Sequence, residues 1–252
     1  MLDFLKAPVA AIQDFFILSG RALKNLVRPP HYADDIFIQM DVIGVGSLPI
    51  VILVGFFTGV VITMQMSRAL STYGAVSQVG PVVMLTLVRE LGPVLTSILV
   101  AGRNASGIAS ELGSMKVTEQ IDAMRALGTD PIQKLVTPRM IATCATLPLL
   151  TIIADTVGLF GGFIVAYFSL RLTPGQYWTP AYQILAYNDV VQGLLKPFVF
   201  AFIVALVGCF YGMRTTGGTQ GVGRATTQAV VAAVVWIFVL TTLITRVFVN
   251  IS

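Results

Sequence analysis

Two charged residues, Arg89 and Glu90, stand side by side in a stretch of sequence that is otherwise almost entirely apolar. They follow Gly80 by about nine residues, which corresponds to roughly 13 Å along a helix that rises 1.5 Å per residue. If this stretch crosses a membrane, both charges lie near the midplane, where charged side chains usually face a cavity, a partner or a substrate. The sequence alone also allows neighbouring helices to neutralise them, in which case they would only fix the packing. Because adjacent helical residues project about 100° apart, we expect the two side chains to contact different groups.

Few other residues have side chains that could take part in catalysis or bind a metal. Asp155 lies in a second apolar stretch, where we favour a structural role for it. The only histidine, His31, lies in a polar linker, so no second imidazole is available for a metal site or a relay. Cys144 and Cys209 lie in apolar runs and are typical of small buried hydrophobic residues. No Gly-Lys dipeptide occurs, which excludes a Walker A loop. We therefore predict no catalytic residue and no metal ligand, and any ATP hydrolysis must come from another chain.

The composition indicates the elements that must position these residues. Apolar residues make up 56% of the 252 positions and charged residues 11%, against about a quarter charged in soluble domains. A helix needs roughly 20 apolar residues to span the hydrocarbon layer, where backbone groups must be satisfied internally. The sequence predicts an all-α integral membrane protein with about five transmembrane helices, at 46–67, 81–106, 140–170, 192–213 and 226–249. The basic residues are scattered over several loops, which argues against nucleic acid binding.

The first 28 residues or so have helical periodicity, with charged residues in one arc and Leu5, Val9, Ile12, Phe16 and Leu23 opposite. We expect this amphipathic helix to lie along the membrane surface, although packing against a soluble partner is an alternative. We therefore predict a single domain, with an interfacial helix and linker at 1–41 and a membrane core at 42–252. Placing the N-terminus in the cytoplasm puts eleven Lys and Arg residues inside. It leaves four outside, namely Arg68, Arg171, Lys196 and Arg246.

A polar interval, residues 103–139, separates the second and third predicted spans on the cytoplasmic side. Thr118 could cap a short helix there, and Gly128 with Pro131 would end it. Ile121, Met124 and Leu127 would form an apolar stripe on this helix. Such a stripe suits docking into a groove of a soluble partner, or it rests on the membrane surface.

Small residues recur at four-residue spacing in two places. Gly55 and Gly59 form a GxxxG pattern, and Ala105, Ala109 and Gly113 follow the second predicted span. Such motifs bring helices close together. They allow contact within one chain or between two chains, and the sequence does not decide between these.

Several segments together resemble the MlaE/YrbE permease family. The matching segments are VRELGP at 88–93, AGR at 101–103, ELGSMKVTEQIDAM at 111–124, DP at 130–131, PR at 138–139 and GRATT at 223–227. The likeness covers nearly the whole chain, and the central block is far more specific than a short motif.

The resemblance implies the permease of an ABC transporter in the bacterial inner membrane, working as a homodimer. Its partners would be an MlaF-like ATPase that binds ATP and Mg, an MlaB-like STAS protein and an MlaD-like hexamer of MCE subunits on the periplasmic side. Such a complex moves phospholipids between the inner and outer membranes and maintains outer-membrane lipid asymmetry. The permease itself would be no enzyme and would bind no cofactor.

The resemblance also implies two sets of functional residues. The expected lipid-cavity positions are Ile62, Ala69, Leu70, Tyr73, Arg89, Glu90 and Leu91. The expected ATPase-coupling positions are Thr118, Glu119, Gln120, Ile121, Asp122, Ala123, Met124 and Leu127. Two other functions fit the sequence without this family: a secondary transporter with Glu90 and Asp155 as proton sites, and a non-transporting scaffold for an MCE assembly.

Overall fold

The computed structural model describes residues 2–26, 28–30 and 32–251, with side chains from residue 10 to residue 250 within those ranges. His31 and the side chains of Leu5 and Val9 lie outside this part. The described elements are all helical: α1 (Leu2–Asn25), α2 (Ala33–Thr72), α3 (Val76–Val117), α4 (Gln120–Ala126), α5 (Ile132–Leu170), α6 (Pro174–Ile184), α7 (Tyr187–Met213) and α8 (Gly218–Ile251). Helices α2, α3, α5, α7 and α8 are long and apolar enough to cross a membrane, which confirms the predicted fold class.

Two spans are longer than the sequence predicted. Helix α3 continues to Val117 instead of ending near residue 106, and α5 begins at Ile132 instead of residue 140. The polar residues that suggested a loop are helical, and one of them is paired across the two helices: Arg139 of α5 lies 2.7 Å from Glu111 of α3. The interval between the spans is therefore short and consists mainly of α4.

In the part of the chain that the structure describes, π-helical turns interrupt the long helices at Asp41–Val45, Leu87–Leu91 and Ala101–Ala105, and another begins α5 at Ile132–Val136. A π-turn inserts one extra residue into a helix and disturbs the regular i to i−4 hydrogen bonding. Such turns are frequent at functional sites. The second one, Leu87–Leu91, contains both Arg89 and Glu90.

The chain divides into two compact units. The first contains residues 1–43, 100–145 and 201–236. Its core joins Leu18 of α1 to Leu112 of α3, Ile121 of α4 and Leu206 of α7. An ion pair of 2.7 Å between Asp14 and Arg214 also fixes α1.

One face of α1 stays uncovered in this unit. Ile12, Phe16 and Leu23 are exposed although they are large and apolar. This is the face that the periodicity predicted opposite the charged arc. Its contact with a membrane surface stays a prediction.

The second unit contains residues 44–99, 146–200 and 237–252. In it α2 and α5 cross at very short range, because a Cβ atom on Gly59 would lie 1.8 Å from the carbonyl oxygen of Gly158. Gly55 meets the backbone of Ala154 in the same way. The GxxxG pattern of α2 therefore serves contact within one chain, which settles one alternative that the sequence left open.

Helix α6 is fixed on α3 in the second unit. It begins with a capping box, in which the Thr173 hydroxyl accepts from the backbone N–H of Gln176 and the Gln176 side chain accepts from the N–H of Thr173. Its Tyr177 is fully buried, packs against Gly80 of α3 and donates to the carbonyl oxygen of Leu159. Burial raises the pKa of Tyr177, so the phenol stays neutral.

Candidate functional site

The π-turn of α3 positions the two charged residues that the sequence singled out. The carbonyl oxygen of Arg89 lacks its usual helical donor, because the residue four positions later is Pro93, which has no backbone N–H. Lys196 of α7 donates to the carbonyl oxygen of Arg89 within this turn, at 2.8 Å. The distorted backbone is thus stabilised by a side chain from another helix.

Arg89 forms an ion pair with the first turn of α7. Its Nε atom donates to Oδ1 of Asp189 at 2.6 Å. The other carboxylate oxygen of Asp189 accepts from the backbone N–H of Ala186 at 2.9 Å. A carboxylate at a helix N-terminus also interacts favourably with the helix dipole, so Asp189 is held firmly in place.

Glu90 has partners on two helices. Its Oε2 atom lies 2.7 Å from Nζ of Lys196. Its Oε1 atom accepts from Gln192 of α7 at 3.3 Å and from the Thr245 hydroxyl of α8 at 3.0 Å. As predicted, the adjacent residues Arg89 and Glu90 contact different side chains.

The two ion pairs share one feature, since one member of each is buried and the other is open. The side chains of Asp189 and Lys196 are 5% and 0% exposed, whereas those of Arg89 and Glu90 are 44% and 39% exposed. The cluster therefore has no net charge but presents a cationic and an anionic group next to each other. Such a surface can bind the polar part of an amphiphile.

Lys196 was predicted among the charges of the outer face, although it falls within the predicted span 192–213. In the structure it lies inside α7, nine residues after Tyr187, and is fully buried. Asp189, Gln192 and Thr245 were not predicted as site residues either. A signal was present for α7, because Asp189, Gln192 and Lys196 recur at i, i+3 and i+7 and therefore share one helix face.

The other predicted cavity residues are divided between core and surface. Ile62 is buried in a cluster with Val83 and Leu87, and Leu70 and Leu91 pack against that cluster. Tyr73 and Ala69 are exposed near the end of α2. Ile62 thus supports the wall near the charged cluster and offers little surface of its own.

Helix α4 differs from its predicted form at its start. Thr118 does not cap it, because its hydroxyl donates back to the carbonyl oxygen of Ser114 and Thr118 ends α3. The residue before α4 is Glu119, in a left-handed conformation with φ of 61°. Gly128, with φ of 79°, follows the end of α4 as predicted.

The apolar stripe of α4 is directed mainly toward the chain's own core. Ile121 is fully buried there and Met124 packs against the same core, so Ile121 positions α4 within the chain. Leu127, in contrast, is 84% exposed. Among the other predicted coupling residues, Thr118, Glu119, Gln120, Asp122 and Ala123 are exposed.

A small group of charges holds α4 against the end of α3. Asp122 accepts from Lys116 at 2.7 Å and from Arg125 at 3.0 Å. The hydrogen bond from Lys116 lowers the pKa of Asp122 below its ordinary value, with a smaller contribution from Arg125. The exposed face of α4 therefore carries a carboxylate that stays ionised at neutral pH.

The chain is similar to a family of membrane permeases and to several of its relatives. The family described as Permease MlaE matches residues 36–247. A probable ABC transporter permease protein of Rickettsia bellii is 42% identical, over 94% of this chain and 92% of its own length. The chloroplastic protein TRIGALACTOSYLDIACYLGLYCEROL 1 of Arabidopsis thaliana is 37% identical, over 88% of this chain and 64% of its own length. The intermembrane phospholipid transport system permease protein MlaE of Haemophilus influenzae is 32% identical, over 92% of both chains. This multi-pass membrane protein, with its paired charges inside the spans, therefore belongs to the MlaE family of ABC transporter permeases.

Proposed function

We propose that this permease moves phospholipids between the inner and outer membranes and so maintains outer-membrane lipid asymmetry. The observation that carries the proposal is the half-exposed Arg89 and Glu90, each tied to a buried partner of opposite charge. The name of the Haemophilus relative supports the same substrate class.

The chemistry of a phospholipid fits this cluster. The bond to Asp189 uses Nε of Arg89, and a guanidinium group has further N–H donors that suit a phosphate. Glu90 can accept from the amine or hydroxyl groups of a headgroup. Leu91, on the same helix as the two charges, and Leu70, on α2, offer apolar surface to the acyl chains. In this mechanism Lys196 and Asp189 keep the open charges in place while the headgroup passes.

The proposed location is the inner membrane, with the N-terminus in the cytoplasm. Eleven of the 16 Lys and Arg residues lie in the first unit. Of the five in the second unit, Arg89 and Lys196 are paired in the charged cluster and are not counted as loop charges. The positive-inside rule therefore favours a cytoplasmic first unit, which contains α4.

ATP hydrolysis is assigned to a separate MlaF-like subunit that binds ATP and Mg and docks on α4. The exposed side of α4 carries Glu119, Asp122 and Leu127, which suits a surface that combines charge with one apolar contact. Two permease chains would face two ATPase subunits. An MlaB-like STAS protein and an MlaD-like MCE hexamer would complete the assembly.

Lipid co-purification tests the substrate. Arg89→Ala should reduce the phospholipid that co-purifies with the permease by at least threefold, measured by mass spectrometry, because the phosphate loses its guanidinium partner. Arg68→Ala is the matched control, since Arg68 is an exposed arginine at the end of α2. Equal phospholipid in both variants and in the unchanged protein would remove Arg89 from the proposed site.

Docking of the ATPase is tested separately. Charge reversal at both Glu119 and Asp122 should abolish recovery of the MlaF-like subunit in a pull-down. Reversal at Asp34, an exposed carboxylate of α2, is the control. Recovery at full yield from the α4 variant would contradict docking at this helix.

The secondary transporter and the non-transporting scaffold predict other results. A secondary transporter would move lipid without ATP, and a scaffold would show no lipid-dependent stimulation of the partner ATPase. Lipid transport and ATPase activity are both measured on the assembled complex in proteoliposomes.

A further inference from the structure

A cavity of the first unit lies between α1, the end of α7 and the start of α8, and we name it the interfacial pocket. It has a volume of about 360 Å³. This volume is within the range of small-molecule sites. Its lining includes Ala11, Phe210, Arg214, Arg224, Ala225 and Gln228.

The interfacial pocket lies where two spans end. Arg214 directly follows the last residue of α7, and Arg224 lies about 9 Å along α8 from Gly218, the first residue of that helix. On α1, the lining residue Ala11 is next to Ile12, one of the exposed apolar residues that we expect on the membrane surface. The pocket is therefore expected at the level of the lipid headgroups.

Two arginines line the pocket, and both have N–H donors available. Nη1 of Arg214 donates to Asp14 at 2.7 Å, and its guanidinium carbon lies 5.1 Å from the centre of the Phe210 ring. These contacts orient the group, while its Nη2 donors can reach a second acceptor. Arg224 is exposed and has no acidic partner within the described part of the chain. Two guanidinium groups thus face one carboxylate, and the excess positive charge favours an anion.

The rest of the lining combines apolar and polar surface. Phe210 and Ala225 are apolar, and Phe210 is held against α1 by Phe15, at 5.5 Å between the ring centres. Arg224 and Gln228 also line an adjoining hollow, so they lie at the open side of the pocket. A free phosphate would leave the apolar wall unused, and a neutral hydrocarbon would leave the arginines unused. An anionic amphiphile fits both.

Basic pockets between the ends of membrane spans are typical sites for anionic lipid headgroups. Guanidinium groups can also form paired hydrogen bonds to a phosphate. We propose that the interfacial pocket binds one anionic phospholipid, with its phosphate on Arg214 and Arg224 and an acyl chain against Phe210 and Ala225. This lipid stays bound where α1 meets α7 and α8 and is not the transported one, so the site does not rest on the proposed function.

Native mass spectrometry of the full chain in detergent can test the proposal. The protein is titrated separately with dioleoylphosphatidylglycerol, with dioleoylphosphatidylcholine and with glycerol 3-phosphate. We expect one phosphatidylglycerol per chain to bind about tenfold more tightly than phosphatidylcholine, because the arginines repel the choline cation. Arg224→Gln should reduce this preference about fivefold, the usual effect of one basic residue on anionic lipid binding. Arg68→Gln, at an exposed arginine of α2 outside the lining, should leave it unchanged.

A matched pair of variants keeps the test independent of the arginines. Ala11→Phe fills the pocket from α1 and should abolish the preference, whereas Ala10→Phe, at the preceding exposed residue outside the lining, should retain it. Arg89→Ala separates this lipid from the transported one and should also retain the preference.

Three results would overturn the proposal. The first is equal affinity for the two lipids in the unchanged protein, or a preference that Arg224→Gln leaves intact. The second is loss of the preference in Arg89→Ala, which would assign the lipid to the charged cluster. The third is binding of glycerol 3-phosphate as tightly as phosphatidylglycerol, which would make the pocket a site for a free phosphate.

Discussion

Nζ of Lys196 lies 2.7 Å from Oε2 of Glu90, and the same nitrogen donates to the carbonyl oxygen of Arg89. One buried lysine thus holds both the side chain and the backbone of the π-turn in α3. The turn would otherwise leave a carbonyl without a partner inside the membrane, where water cannot replace it. Lys196 is therefore a positioning residue for the two open charges.

This arrangement predicts strong coupling between Lys196 and Glu90. Lys196→Met should lower the free energy of unfolding by about 1–3 kcal/mol, because it leaves the Glu90 carboxylate without its cationic partner and the Arg89 carbonyl without a donor. The double variant Lys196→Met with Glu90→Gln should lose less than the sum of the two single variants. Thermal or denaturant unfolding of the three variants and the unchanged protein in detergent gives this double-mutant cycle. Strict additivity would show that the 2.7 Å contact contributes nothing to stability.

Arg89 and Glu90 could be found from the sequence because charges within an apolar span are costly and rarely accidental. The role of Lys196 was not predicted because the charge-free run begins only after it, at Pro197, and its partner Glu90 is 106 positions away in the sequence. Hydropathy records how apolar a segment is but not which charges meet across helices. The pairing requires the packing of α3 against α7.

The start of α4 was mispredicted for a local reason. Thr118 has the right side chain for an N-cap, yet its hydroxyl donates back to the carbonyl oxygen of Ser114 at the end of the preceding helix. Both uses of a threonine hydroxyl are common, so the residue type does not choose between them. The buried Ile121 decides the orientation of α4, and that depends on a core formed with distant helices.

The contact between Gly92 and Asp155 predicts a sensitive position on α3. Gly92→Ala places a Cβ atom 1.6 Å from the Asp155 carboxylate and should destabilise the protein by about 1–3 kcal/mol, the usual cost of overpacking. Asp155→Ala in the same chain should restore much of this loss. Gly102→Ala is the control, since nothing lies within 4 Å of its added Cβ. Thermal unfolding of these three variants and of the unchanged protein gives the comparison, and equal midpoints for Gly92→Ala and Gly102→Ala would contradict it.

The crossing of α2 and α5 predicts that Gly59 matters for folding and not for association. Gly59→Ala should destabilise the chain, because its Cβ atom would overlap the carbonyl oxygen of Gly158. Mass photometry in nanodiscs should show an unchanged number of chains per particle. Gly107→Ala, with open space around its Cβ, serves as the reference. A change of oligomeric state without loss of stability would place Gly59 at a contact between chains.

The ion pairs of Asp122 predict that α4 loosens in acid. Because its pKa is lowered in the folded chain, Asp122 contributes stability that is present above its ordinary pKa of 3.8 and is lost as the pH falls below that value. Amide hydrogen exchange of residues 120–126, corrected for the intrinsic rate at each pH, should therefore show weaker protection at pH 3 than at pH 6. Asp122→Asn should show the weaker protection at both values, since it cannot form the charged bonds to Lys116 and Arg125. An equally large pH effect in Asp122→Asn would assign it to another group.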